Sequence, residues 1–312
     1  MNIETLKKYI DDNQIKNIKL AVVDIDGILR GKYVNKKKFL STLENGLGFC
    51  DVIFGWDSND ELYKKDSFTG WKKGFGDATA TIDATSFRLL PTEEYKSIIV
   101  LADFSDSEAS QVCPRSILKK TLKRLDKQGY KATAALEFEF FMFNETPKSA
   151  HDKNFQNLEP ITPGNFGYSV LRNSSHANLY HDIMNLAEQM EMPLEGLHTE
   201  TGPGVLEGAL EHSDALRAAD NGVLFKTFIK VLAQQKEMMA SFMAKWSPNY
   251  PGQSGHIHIS LQRKNGTSVF YDDNKPNKMS DEMRWFIGGQ QKLMPEILAM
   301  VASTCNSYTR LI

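Results

Sequence analysis

The stretch LEGLHTETGPGVLEGAL (residues 194–210) carries the pattern that decides the second half of the fold. A Gly-Pro-Gly turn signal at 202–204 stands between two short segments that have the composition of strands. A turn of this kind folds the two strands back on each other and can place Glu200 and Glu207 side by side. The pattern alone leaves two interpretations open, a solvated hairpin or part of an acidic site.

A second segment, AALEFEFFMF (residues 134–143), is predicted to be a strand. Glu137 and Glu139 lie two residues apart in it, so both carboxylates leave the same face. Because two like charges on one face repel each other, that face is either exposed to solvent or closed around a cation.

A third segment, SGHIHISL (residues 254–261), places His256 and His258 on one face of a strand by the same alternation. Such a pair is typical of a ligand- or phosphate-binding element, whereas a single histidine among apolar neighbours is usually a packed core residue. The three segments together offer mainly carboxylate oxygen with some imidazole nitrogen, which favours Mg²⁺ or Mn²⁺ over zinc or copper. Two such cations would suit phosphoryl transfer from a nucleotide. The sequence has no Walker loop, so metal ions and basic side chains would have to hold that nucleotide.

The composition excludes several classes of function. The 312 residues correspond to about two domains, and 37 basic against 39 acidic residues leave a net charge of −2, which predicts no binding to nucleic acid or to an anionic membrane. No apolar run approaches the roughly 20 residues of a membrane span, and the N-terminus is too polar for a signal peptide. We therefore expect a cytoplasmic protein. Three cysteines without metal-type spacing predict neither a disulfide framework nor a zinc site.

The chain is predicted to be α+β, with a small β-rich domain at 1–108 and a second domain at 109–312. The first hundred residues are mainly short strands by pattern, and a helix begins at Pro114 and is stopped by Gly129. The elements expected beyond it are a strand at 132–143, a helix at 175–191, a strand pair around 195–210, a long helix from about Ser213, strands at 256–262 and 268–271, and a last helix near 280–300.

One competing hypothesis comes from LAVVDIDGIL (residues 20–29), which resembles the opening motif of haloacid-dehalogenase-type phosphatases. In that motif the first aspartate, here Asp24, is the nucleophile and the second, here Asp26, is an acid. Such a phosphatase needs a crossover helix and a doubly wound parallel sheet after this strand. The residues that follow favour turns and short strands instead.

Six segments in order resemble the glutamine synthetase family, in its bacterial type I-like branch that includes γ-glutamyl amide ligases. The similarity extends from about residue 16 to the last residue. The resemblance implies a small N-terminal β-grasp domain followed by a catalytic domain with a curved antiparallel sheet flanked by helices. The matching segments are VVDIDGILRGK (22–32), LEFEFF (136–141), HTETGPGVLE (198–207), SFMAKW (241–246), SGHIHISL (254–261) and NSYTRL (306–311).

The resemblance also implies two cation sites. One divalent cation would be held by Glu139, Glu200 and Glu207, and a second by Glu137 and His256.

Further roles implied by the resemblance concern ATP and the acceptor. Glu195, His258 and Ser260 would contact ATP, with His258 at the phosphates. Gly252 would lie in the glutamate-binding loop, and Arg310 would bind the substrate carboxylate and orient it for catalysis. The implied reaction phosphorylates the γ-carboxylate of glutamate with ATP, after which ammonia or a small amine displaces phosphate. The family also implies a large homo-oligomeric ring with sites between subunits.

The sequence departs from the family in two places. Residues 51–63, DVIFGWDSNDELY, stand where ammonia-using members carry an Asp-Gly-Ser-Ser-type loop, so an organic amine becomes an option unless Asp57 or Asp60 substitutes. The family pattern continues past Arg310 with a mobile glutamate, a segment with phosphate-binding arginines and a last metal-ligating glutamate. The resemblance therefore implies a second domain that is incomplete at its C-terminus, and a form that binds only metal and nucleotide is an alternative to the ligase.

Overall fold

The computed structural model describes residues 2–64, 68–105 and 108–311, and the chain divides into two compact units. The first unit comprises Met1–Lys123 with Gln189–Glu191, and the second comprises Arg124–Glu188 with Met192–Ile312. The domain boundary between residues 108 and 109 stays a prediction. No helix in the described part of the chain is both long enough and apolar enough to span a membrane.

The first unit is a mixed sheet with short helices. Its strands lie in the order β2-β1-β6-β4-β3, with β5 also paired to β6. The central pair β1–β6 is parallel and the other pairs are antiparallel, which is the β-grasp arrangement that the family resemblance implies. The elements are α1 (Ile3–Asp12), β1 (Asn17–Val23), β2 (Leu29–Asn35), α2 (Lys36–Asn45), β3 (Leu47–Cys50), β4 (Asp77–Ile82), β5 (Arg88–Leu89), β6 (Ile98–Phe104), α3 (Ala109–Val112) and α4 (Pro114–Lys127), with 3₁₀ turns at Asp51–Phe54, Trp71–Lys73 and Ala84–Ser86.

Two helices of this unit, α1 and α2, were not among the predicted elements of the first hundred residues. Helix α1 buries only Leu6 and Ile10, four residues apart, so its apolar stripe is too narrow to stand out in a polar segment. Its first turn is fixed instead by Asn2, whose side chain accepts a hydrogen bond from the Thr5 N–H at 2.8 Å.

The phosphatase hypothesis is wrong, because β1 turns directly into the antiparallel strand β2 with no crossover helix. Asp24 is 1% exposed and serves the turn between them. Its carboxylate accepts the N–H groups of Asp26 and Ile28 and the Nε–H of Arg30, at 3.0, 2.9 and 2.8 Å. A carboxylate committed to three donors inside a hairpin is a structural group rather than a nucleophile.

A buried ion network joins α4 to the sheet of the first unit. Arg115 is 4% exposed, and its guanidinium contacts Asp103 on β6 and Asp83 after β4. Lys119, one turn further along α4, contacts Asp103 at 2.9 Å. Burial opposes the charge of Asp83, but hydrogen bonds from Thr85 and Arg115 outweigh this and hold the pKa of its carboxyl below the ordinary value.

The second unit is built around the long strand β7, which has partners along both edges. Strands β12 and β11 pair with one edge, β9 and β10 pair with the other, and β8 lies outside β9, all antiparallel as predicted. The elements are β7 (Tyr130–Phe143), α5 (Pro147–Asp152), α6 (Val170–Ser175), α7 (Ala177–Gln189), β8 (Leu194–Thr199), β9 (Val205–Leu210), β10 (Ser213–Asp214), α8 (Ala215–Gln235), β11 (Met239–Ser241), β12 (Gly255–Arg263), α9 (Asp281–Val301) and α10 (Cys305–Arg310), with a 3₁₀ turn at Pro276–Lys278.

One predicted strand of this unit does not form. Residues 268–271 make only isolated bridges, Gln262 with Ser268 and Tyr271 with Met279. Four residues around a polar turn provide too few ladder hydrogen bonds for a strand.

The two faces of β7 have opposite character. Phe138 and Phe140 project to one face, where their rings pack with Phe225 of α8 and with Phe242. Because side chains alternate along a strand, Glu137 and Glu139, which alternate with these phenylalanines, are directed to the other face. The aromatic packing therefore fixes which face of the sheet carries the acidic side chains.

Candidate active site

The register of the antiparallel pairs brings five acidic and imidazole side chains to one face of the second unit. Glu139 on β7 lies opposite Glu207 on β9, and Glu207 lies opposite His198 on β8. Two residues back along β7, Glu137 lies opposite His256 on β12. Directly opposed residues share a face of the sheet, so these side chains meet above β7 although they come from four strands.

The first cluster consists of Glu137, Glu207 and His256, which offer three ligand atoms within 4.8 Å of one another. The Nδ1 of His256 lies 2.9 Å from Oε2 of Glu137 and 4.0 Å from Oε1 of Glu207. His258, two residues along β12, places its Nε2 at 3.3 Å from the same oxygen of Glu137. Glu137 is thus flanked by the two imidazoles whose spacing the sequence shows.

The second cluster consists of His198, Glu200 and Glu207, again with ligand atoms within 4.8 Å of one another. The Nε2 of His198 lies 3.7 Å from Oε2 of Glu207, and its Nδ1 lies 3.0 Å from the carbonyl oxygen of Thr199. A donor hydrogen on Nδ1 leaves the lone pair of Nε2 on the side of Glu207. Glu207 belongs to both clusters and is the residue on which the whole site depends.

The turn between β8 and β9 sets the distance between Glu200 and Glu207. The N–H of Glu200 donates to the carbonyl of Val205 at 2.9 Å, which closes the hairpin. Gly204 has φ +68°, and a Cβ there would lie 2.5 Å from the carbonyl oxygen of Met142 on β7. Only glycine allows this close approach of the turn to the sheet.

The electrostatics of the site favour a bound cation. In the described ranges, no lysine or arginine forms an ion pair with Glu137, Glu139, Glu200 or Glu207. Burial raises the pKa of Glu207, and repulsion from the neighbouring glutamates raises it further, against a lowering by His198. At Glu137, burial opposes the charge, but hydrogen bonds to His258 and His256 hold the pKa below the ordinary value.

These donor sets fit two divalent cations. Each cluster combines two carboxylates with one imidazole, and the carboxylate charge has no lysine or arginine partner in the described chain. Mg²⁺ and Mn²⁺ take oxygen-rich ligand sets of this kind. Glu139 borders the second cluster, where its Oε2 accepts the N–H of Ser254 at 2.8 Å.

A cleft of about 360 Å³, here called the Arg310 cleft, opens beside the second cluster. Gly252 and Arg310 meet in it so closely that a Cβ on Gly252 would lie 2.3 Å from Cδ of Arg310. The cleft therefore has acidic and basic side chains within one small volume. Its lining consists of Glu139, Glu200, Thr201, Lys245, Pro251, Gly252 and Arg310.

Comparison with known proteins assigns this arrangement to a family. The model of the catalytic domain of glutamine synthetase matches residues 111–312, more than half of the chain. The chain belongs to the glutamine synthetase family.

Two curated relatives of this glutamine synthetase family member show the range of the similarity. Type-1 glutamine synthetase 2 of Dictyostelium discoideum is 46% identical over 308 residues, which cover 96% of this chain and 59% of the relative. A glutamate–isopropylamine ligase of a Pseudomonas species is 34% identical over 308 residues, which cover 98% of this chain and 67% of the relative. The chain thus spans about three fifths to two thirds of the length of these relatives.

Solved structures support the same fold for this family member. The structure of ligand-free GmaS superposes with a TM-score of 0.83 at 23% identity and covers 98% of this chain and 68% of that one. The Plasmodium falciparum glutamine synthetase superposes with a TM-score of 0.80 at 22% identity and covers 99% of this chain and 63% of that one. These likenesses confirm the α+β fold class that the sequence predicts.

The remaining residues to which the family resemblance gives a role lie at different distances from the clusters. Ser260 is exposed on β12 and follows His258 on the same face. Glu195 belongs to neither cluster; its side chain is 61% exposed and lies 3.8 Å from Nδ1 of His212. The contacts of Glu195, His258 and Ser260 with ATP stay predictions.

Sequence reasoning assigned no role to His198 or Lys245. The signal for His198 is its spacing, because Glu200 follows it by two residues at the end of β8, the same interval that separates His256 from His258. Lys245 had no comparable signal, since its place in the Arg310 cleft depends on a loop that returns from far along the chain.

Asp57 and Asp60 lie in the first unit and make contacts within it. Oδ1 of Asp57 accepts the N–H groups of Asn59 and Glu61 at 2.8 and 3.0 Å. Oδ1 of Asp60 lies 2.8 Å from Nη1 of Arg30. That either carboxylate binds the amine stays a prediction.

Proposed function

We propose that this chain carries the site of an ATP-dependent glutamate–ammonia or glutamate–amine ligase that works through a γ-glutamyl phosphate with two divalent cations, Mg²⁺ or Mn²⁺. The observation that supports this most is the pair of clusters joined through Glu207, one of which borders the Arg310 cleft. A site for cations next to a site for a carboxylate is what carboxylate activation by a nucleotide requires.

The reaction needs both parts because a carboxylate is a poor electrophile. An oxygen of the γ-carboxylate attacks the terminal phosphorus of ATP, and ADP leaves. The amine then attacks the acyl carbon, inorganic phosphate leaves, and the amine loses a proton as the amide forms. Bound cations would screen the repulsion between the carboxylate and the triphosphate. The glutamates of the two clusters would hold these cations, and Arg310 would orient the acceptor through its carboxylate.

The names of the relatives support ammonia or an amine as the second substrate but do not identify which one. One is named as a glutamine synthetase and another as an isopropylamine ligase. We propose ammonia or a small organic amine as the second substrate, a cytoplasmic location, and a homo-oligomeric ring with sites between subunits, on the strength of family membership.

The proposed activity is tested by measuring ADP release with glutamate, Mg²⁺ or Mn²⁺, and a panel of ammonia, methylamine, ethanolamine and isopropylamine. We expect ADP release that depends on glutamate and increases with at least one amine. The absence of glutamate-dependent ADP release with every amine would refute the proposal.

A second candidate function is binding of metal and nucleotide without turnover. It is favoured by the two clusters, whose carboxylate and imidazole ligands can hold cations without any group that acts in the later steps of the reaction. Calorimetric titration with Mn²⁺ and ATP, combined with the turnover assay, separates the two. Binding with no ADP formed supports the second candidate, whereas multiple turnovers exclude it.

Gly252→Ala is expected to lower kcat/KM for glutamate by roughly 100-fold, since a misplacement of about 1 Å can have that effect. The added methyl group would lie 2.3 Å from Cδ of Arg310 and 2.6 Å from the carbonyl oxygen of Ala244, so the guanidinium must move. Gly288→Ala is the matched control, because nothing lies within 4 Å of its Cβ position. Equal kcat/KM in the two variants would show that Gly252 does not position Arg310.

A further inference from the structure

Lys245 lines the Arg310 cleft but belongs to neither cation cluster. It is half-buried, and within the described ranges its ammonium forms no ion pair with a carboxylate. An ammonium group without an ion-pair partner has its three donor hydrogens available for an anion. The contacts of the backbone on either side of Lys245 determine how firmly the residue is held in the cleft.

The backbone just before Lys245 is held by a buried glutamine. Gln253 is 3% exposed, and its backbone N–H donates to the carbonyl of Ala244 at 2.8 Å. Its side-chain Nε2 donates to the carbonyl of Met243 at 2.7 Å. The two residues that precede Lys245 are therefore hydrogen-bonded to Gln253, next to Gly252 and just before β12.

The backbone just after Lys245 is held by aromatic packing. The ring of Trp246 packs edge-on against Phe143 of β7, with centroids 5.1 Å apart, and stacks with Tyr250 at 5.5 Å. Contacts of this kind add to the burial of the rings. Lys245 therefore projects from a segment that is anchored on both sides, which lowers the entropy lost when it binds a ligand.

Gly252 links the Lys245 segment to Arg310. A Cβ on Gly252 would lie 2.6 Å from the carbonyl oxygen of Ala244, directly before Lys245, and 2.3 Å from Cδ of Arg310. Lys245 and Arg310 both line the cleft. Glu139 and Glu200 also line the cleft and belong to the cation side of the site. The cleft is therefore lined by two basic side chains and by two glutamates that adjoin the proposed cation site.

We propose that Lys245 is a substrate-binding residue that joins Arg310 in binding the α-carboxylate of the amino-acid acceptor. This inference rests on the proposed function. The γ-carboxylate must meet the nucleotide at the cations that the glutamates would hold, which leaves the α-carboxylate for the two basic side chains of the cleft, Lys245 and Arg310. Two cationic side chains on one carboxylate also favour an acceptor with two carboxylates over one that has only the reacting group.

The test compares the binding of L-glutamate with that of 4-aminobutyrate, which has the reacting carboxylate and the amine but no α-carboxylate. Equilibrium dialysis in the presence of Mn²⁺ measures both ligands for the parent chain, Lys245→Gln and Lys245→Arg. We expect Lys245→Gln to weaken glutamate binding by roughly 10- to 100-fold, the effect of losing a hydrogen bond to a charged group. Binding of 4-aminobutyrate should change less than about twofold, and Lys245→Arg should recover most of the glutamate affinity.

Lys264→Gln is the matched control, because Lys264 is exposed and its ion pair with Asp126, at 3.1 Å, lies at the surface. It should leave both affinities unchanged, and Mn²⁺ binding should be equal in all variants, which shows that the fold is intact. Equal weakening of both acceptors, unchanged glutamate binding by Lys245→Gln, or no glutamate binding by the parent chain would overturn the inference. The proposed function is tested separately by turnover, since the parent chain could bind glutamate without releasing ADP.

Discussion

Glu207→Gln is expected to weaken Mn²⁺ binding at both cation sites by more than about 100-fold. Loss of a residue that only hydrogen-bonds to a metal ligand weakens metal binding by about 10- to 100-fold, and loss of a ligand itself should have a larger effect. Glu207 offers a carboxylate oxygen to the cluster with Glu137 and His256 and to the cluster with His198 and Glu200. The amide keeps the size of the side chain but removes its charge. Calorimetric titration with Mn²⁺ measures the effect directly.

Glu211→Gln provides the matched control for that variant. Glu211 follows β9 by one residue, is exposed, and belongs to neither cluster. The variant makes the same chemical change four residues from Glu207. The Mn²⁺ affinity of Glu211→Gln should therefore equal that of the parent chain. A Glu207→Gln variant that still binds two Mn²⁺ ions with the parent affinity would contradict the assignment of the shared ligand.

Arg115→Ala is expected to lower the free energy of unfolding of the first unit by about 3–5 kcal/mol, the usual effect of removing one partner from a buried ion pair. Its guanidinium contacts both Asp83 and Asp103, and all three side chains are largely shielded from water. Without Arg115 the two carboxylates stay buried, with Lys119 as the cation that still contacts them. Urea unfolding followed by circular dichroism measures the loss.

Arg124→Ala is the control for this prediction, because Arg124 is exposed on the same helix and the change removes the same atoms. It should alter the free energy of unfolding by less than about 0.5 kcal/mol. Equal stability of the two variants would show that the buried network contributes nothing beyond the surface charge of α4.

The sequence predicted the architecture of the second unit well because its signals are local. The alternation in β7 and the turn at 202–204 each specify their own element, and the helix α4 begins at Pro114 as the proline rule requires. Helix α1 was not predicted because only two of its residues, Leu6 and Ile10, are buried in the folded unit, and two residues give too weak a periodic signal. The expected strand at 268–271 does not form because its pairing is limited to isolated bridges, Gln262 with Ser268 and Tyr271 with Met279.

The candidate site was predictable only in its composition. Alternation indicated that Glu137 and Glu139, and likewise His256 and His258, share a face, and the structure brings these strands together on β7. The division into two clusters depends on register, which short-range patterns do not specify. Lys245 depends on a loop held by residues far from it in sequence.

The central claim is that the γ-carboxylate of glutamate is activated by phosphorylation. The most direct measurement uses glutamate with both γ-carboxylate oxygens labelled with ¹⁸O, together with ATP, Mg²⁺ and the accepted amine, and analyses the released phosphate by mass spectrometry. If a γ-glutamyl phosphate forms, one labelled oxygen passes to inorganic phosphate in each turnover. Inorganic phosphate without ¹⁸O, released while the amide accumulates, would contradict the account.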